Sequence, residues 1–86
     1  MAKITYTVEM ARKIREIKVP VKGLQLDVRA RPNYLALTVY EENVREYNET
    51  QRMALMDYLL LVRKLIQSYG TPCELEGIRA KDDRKI

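Results

Sequence analysis

Histidine, tryptophan and phenylalanine are absent from this 86-residue chain, and cysteine occurs once. Without histidine the usual general base near neutral pH is missing, and so is the commonest ligand for zinc, copper and iron. The single thiol, Cys73, cannot close an internal disulfide, and acting as a nucleophile it would need a neighbouring base. A small, partly buried apolar role is its default. Glycine is confined to Gly23, Gly70 and Gly77, so no glycine-rich loop exists to cradle a phosphate and no glycine sits in an acidic calcium loop. Glu41, Glu42, Glu46 and Glu49 cluster in sequence, but adjacent carboxylates on a strand point to opposite faces. The expectation is therefore no enzyme, no metal and no cofactor.

Long apolar runs are also missing. The longest, Tyr58 to Val62, falls far short of the roughly 20 residues that cross a bilayer, so no membrane span is expected. Residues 1–7 carry one lysine and no apolar core of a secretory signal. Together with the unpaired cysteine, this gives a reducing, cytoplasmic setting as the expectation.

A chain of this length makes one domain and buries only about 60 to 65% of its unfolded surface. Such a domain is marginally stable alone and gains from self-association. Residues 1–79 read as a single α+β domain. The mostly charged stretch after Ala80 reads as a frayed tail over residues 80–86.

Charge is unevenly placed. Residues 1–33 hold eight cations against three acids, Glu9, Glu16 and Asp27, leaving five excess positive charges. Arg12, Lys13, Arg15, Lys18 and Lys22, with Arg29 and Arg31 further on, form a candidate footprint for nucleic acid or an acidic partner. The same residues also describe an ordinary solvated surface, since acids are interspersed.

Ile4, Tyr6 and Val8 alternate with polar residues at strand period, giving a short first strand. Met10, Ile14 and Ile17 then follow helical spacing up to Pro20, although Ile17, Val19 and Val21 fit a continued strand equally well. Residues 24–41 are clearer. Leu24, Leu26, Val28 and Ala30 alternate with charged or polar residues, and Leu35, Leu37 and Val39 alternate with Ala36, Thr38 and Tyr40. Between them, Arg31-Pro32-Asn33-Tyr34 has turn chemistry, so an antiparallel β-hairpin is predicted. Its outward face would carry Arg29 and Arg31, and Tyr34 and Tyr40 would stand there as candidate base-stacking or partner-anchoring groups. Sheet-surface packing is their plainer role.

Asn48 with Gln51 three residues later forms a capping box, and Gly70 followed by Pro72 marks a helix end. One long C-terminal helix is predicted over residues 49–69, followed by a short strand from Cys73. At about 100° per residue this helix divides into two apolar zones. The wide zone, Ala54, Leu55, Tyr58, Leu59, Leu61, Val62, Leu65, Ile66 and Tyr69, should lie on the hairpin. The narrow one is Met53, Met56 and Leu60, a stripe inside the polar face. Either the N-terminal segment covers that stripe or it meets another chain, with methionine suited to an adaptable contact.

The sequence thus leads to a small α+β domain: a hairpin and short flanking strands packed on one long helix. Its expected function is a small non-enzymatic oligomerising protein-protein interaction module, adaptor-like or inhibitor-like. A homodimer through Met53, Met56 and Leu60 is favoured, with a further protein as partner. The alternative is a nucleic-acid-binding module using the basic N-terminal third and the hairpin face.

Overall fold

The computed structural model describes residues 4–84. Thr7 determines how the chain begins. Its hydroxyl accepts the Met10 N–H at 3.1 Å and caps helix α1, Val8–Arg15. Glu9 in the first turn, with Arg12, Lys13 and Arg15 in the last, opposes the helix dipole with the favourable sign at both ends. Helix therefore prevails over strand from Val8 onward, and the expected strand over Ile4, Tyr6 and Val8 does not form.

The hairpin consists of β1, Gln25–Ala30, and β2, Leu35–Glu41, antiparallel, with Leu26 opposite Val39 and Val28 opposite Leu37. The Arg31 N–H donates to the Tyr34 carbonyl at 2.8 Å across the turn. Helix α2, Glu49–Ser68, follows. Asn48 Oδ1 accepts the Gln51 N–H and Gln51 Oε1 accepts the Asn48 N–H, both at 2.9 Å, closing the capping box. Gly70 ends the helix at φ +80°, its N–H bonded to the Gln67 carbonyl.

The last strand corrects the sequence reading in length. β3, Cys73–Ala80, is eight residues long and pairs parallel to β2, so the sheet order is β1-β2-β3 with α2 as the crossover. A bulge explains its misleading pattern. Leu37 faces Leu75, but Thr38 faces Gly77, leaving Glu76 as the extra residue. Core-facing positions are thus Cys73 and Leu75 before the bulge and Ile78 and Ala80 after it. Gly77 has φ +139°, a conformation that side-chain-bearing residues rarely adopt.

Both helices pack on one face of the sheet. Leu35, Leu37 and Val39 of β2, Tyr58, Leu59, Val62 and Ile66 of α2, Cys73 of β3, and Met10 and Ile14 of α1 make one buried cluster. Val44, Leu55 and Ala80 make a second. The observed molecule is a small α+β domain with a three-stranded sheet and two helices, and its 19 Å thinnest extent fits one helix layer on one sheet.

The frayed tail expected from Ala80 is corrected over its described part. Ala80 is buried, and Lys81–Arg84 form a 3₁₀ turn. Arg45 pairs with Asp82 at 3.0 Å and with Asp83 at 2.8 Å, which holds the turn against the segment leading into α2. These charges therefore find partners while staying exposed to solvent. Residues 85–86 of the predicted tail lie outside the described residues.

Candidate interaction surface

The residues of α2 that do not reach the core define the most distinctive surface. Met53 is 60% exposed, Met56 40%, Leu60 43% and Leu61 55%. The length of α1 explains why they stay uncovered. Its eight residues span about 12 Å against about 30 Å for α2. Through Met10 and Ile14 the short helix lies on the Tyr58, Val62 and Ile66 side. The N-terminal segment does not fold over the Met53, Met56 and Leu60 stripe.

The wide zone read from the helical wheel is corrected at one edge. Leu55, Tyr58, Leu59, Val62 and Ile66 are buried, but Leu61 and Tyr69 are exposed. Leu61 therefore joins the outer face. At about 100° per residue it lies about 40° to one side of Asp57, while Leu60 lies about 60° to the other. The sequence signal was the run Leu59-Leu60-Leu61, three leucines that no single helix face can bury together.

Two concavities shape this face. A shallow one of about 360 Å³ is lined by Asp57, Leu60, Leu61 and Lys64. An open groove of about 460 Å³ runs between α1 and α2, lined by Ile17, Leu61, Leu65 and Ser68 with Lys13, Glu16 and Lys64 around them. Leu61 and Lys64 line both, so the two adjoin. The Ser68 hydroxyl donates to the Leu65 carbonyl of its own helix, so the groove presents apolar walls and charged edges without an activated nucleophile.

The candidate cations are divided between two sides of the molecule. Arg12, Arg15, Lys18 and Lys22 are exposed on or just after α1, and half-buried Lys13 stands 3.8 Å from Glu16. Arg29 shares the opposite sheet face with Ala36, its partner in register, turned away from the helices. Its Nε donates to Asp27 at 3.0 Å. Arg31 reaches Glu76 with two hydrogen bonds, 2.9 and 3.1 Å, which raises its pKa further. That ion pair ties the turn after β1 to the bulge of β3. Tyr40 is buried and Tyr34 half-buried. The arrangement therefore does not gather the basic residues and tyrosines into one phosphate-facing surface.

The acidic cluster separates likewise. Glu41 is buried, accepts the Asn43 N–H at 2.6 Å and accepts the Tyr47 hydroxyl; Tyr47 is pushed up to about 12, by burial first and by Glu41 second. Glu42 is exposed, 3.8 Å from Lys81. Cys73 is buried, and its thiol is pushed up to about 11 by that burial, with Arg63 pulling weakly the other way. It is a protonated core group at neutral pH. Among the described residues no group of three or more cysteine, aspartate or glutamate side chains is placed to hold a metal ion, and no helix is long and apolar enough to cross a membrane. Compared with protein-family models, curated proteins and solved structures, the chain matches none.

Proposed function

We propose that this chain is a small non-catalytic oligomerising interaction module, adaptor-like or inhibitor-like, whose outer α2 face makes the contact. One observation carries this reading: Met53, Met56, Leu60 and Leu61 stand exposed together on a helix whose other face is fully committed to the core. Isolated exposed leucines are normal on protein surfaces, but four large apolar residues within nine positions of one helix form a patch. Flexible thioethers beside leucines suit a surface that adapts to what covers it. The open groove beside the patch supplies the relief into which a partner's side chains fit. A second copy of the chain is the partner that needs no further component, and it adds the burial that a domain of this size lacks.

The test is light scattering on the wild type and on the Met56→Glu, Leu60→Glu double variant. A dimer that becomes a folded monomer, with its circular dichroism spectrum retained, is the expected result. A wild type that remains monomeric at every concentration would overturn the reading.

A further inference from the structure

Building on that oligomeric reading, we infer that the second copy docks with its α2 antiparallel to the first. The two-fold axis passes between Leu60 and Leu61, so that Asp57 of each copy pairs with Lys64 of the other. Asp57 lies three residues before Leu60, and Lys64 three residues after Leu61. An antiparallel pair centred there sets 57 against 64, 60 against 61, 56 against 65 and 53 against 68.

The two charges are placed for this pairing. Both are exposed on the same side of α2, about 20° apart on the wheel. Neither makes an ion pair or a side-chain hydrogen bond among the described residues. The acid nearest Lys64 across the groove, Glu16, is turned to Lys13. Together with Leu60 and Leu61 they line one concavity, opposite charges on either side of an apolar centre, which is self-complementary under a two-fold rotation. A parallel pair would instead set Asp57 on Asp57 and Lys64 on Lys64.

Shape agrees with charge. The antiparallel register brings Met53 of one copy level with Ser68 of the other, at the edge of the groove that Ile17 and Leu65 line. Each copy carries a net charge of +4, so undirected approach is repulsive. Local complementarity must then select the orientation.

Asp57→Lys, Lys64→Asp, the double exchange and an equimolar mixture of the two single variants test this by sedimentation equilibrium. The altered side chains are exposed, and circular dichroism verifies that each variant is folded. Each single variant faces like charge twice in its own dimer, so its Kd should rise roughly 30-fold or more. The double exchange, and the mixture as a heterodimer, should return to near wild-type affinity. Lys64→Asp is the sharpest arm. It lowers the net positive charge, so overall repulsion alone would tighten its dimer, whereas the pairing requires it to weaken. Single variants that dimerise like wild type, or a mixture that fails to recover, overturn the antiparallel pairing while oligomerisation stands. A wild type that never dimerises overturns both.

Discussion

Leu59, Leu60 and Leu61 are adjacent in sequence, yet their replacement by alanine should give different outcomes that can be worked from burial alone. Leu59 is fully buried among β2 and α2 side chains, Leu60 is 43% exposed and Leu61 55%. Removing a fully buried leucine side chain costs about 2 to 5 kcal/mol, because lost transfer free energy adds to the cavity left behind. An 86-residue domain has in total roughly 4 to 13 kcal/mol of stability. Leu59→Ala thus removes a large share. At about 3 kcal/mol, and 4 to 8 °C per kcal/mol, its Tm falls by about 12 to 24 °C. Leu60→Ala and Leu61→Ala leave no closed cavity and keep a strong helix former, so in dilute protein each should cost about 1 kcal/mol or less. Thermal melts followed by circular dichroism over a range of concentrations make the separation visible. Wild-type Tm should rise with concentration as the dimer fills, and that rise should flatten in Leu60→Ala and Leu61→Ala. If Leu61→Ala in dilute protein is as costly as Leu59→Ala, Leu61 is covered by its own chain and the proposed interface loses its centre.

Two further outcomes follow from the sheet. The Cys73 thiol is raised above its ordinary value of 9.0 to about 11, so the folded state holds this proton more tightly than the unfolded state. Its contribution to stability is fully present below about pH 9 and is lost as pH rises through about 11; Tyr47, raised from 10.0 to about 12, extends the loss upward. Urea titrations at stepped alkaline pH should show stability falling in that window, and a Cys73→Ala variant that keeps the same slope between pH 9 and 11 would contradict the assignment. Gly77→Ala meets no atom within 4 Å but must hold φ +139°, so it should cost about 1 to 3 kcal/mol of backbone strain in urea denaturation. A loss below about 0.5 kcal/mol would mean that the bulge does not require glycine.

How much of this was legible in the sequence depends on the range over which each signal acts. The α2 boundaries were readable because Asn48, Gln51 and Gly70 act through hydrogen bonds and backbone preferences within a few residues. The β1–β2 turn was readable for the same reason. β3 was not, because its partner β2 lies across the whole of α2, and the Glu76 bulge switches the core-facing parity from Leu75 to Ile78. A period-two reading stops at that switch and reports a short strand. The first segment failed differently: Ile4, Tyr6 and Val8 do alternate, but a single hydroxyl at Thr7 settles the competition for helix.

The outer face of α2 lay between these cases. A helical wheel orders side chains by angle, and it separated Met53, Met56 and Leu60 correctly from the core side. It cannot supply the length of the neighbour that covers the remainder. Whether Leu61 belongs to the core or the outer face is decided by α1 stopping at Arg15, which leaves Ile17 and Leu65 as the walls of an open groove. The same shortfall leaves Asp57 and Lys64 without ion-pair partners among the described residues, since a longer first helix would bring its own charges over them. Exposed leucine, open groove and unpaired charge therefore share one cause in the fold. A variant that lengthens α1 beyond Arg15 would be expected to close all three at once, bringing the exposed outer face of α2 under cover of its own chain.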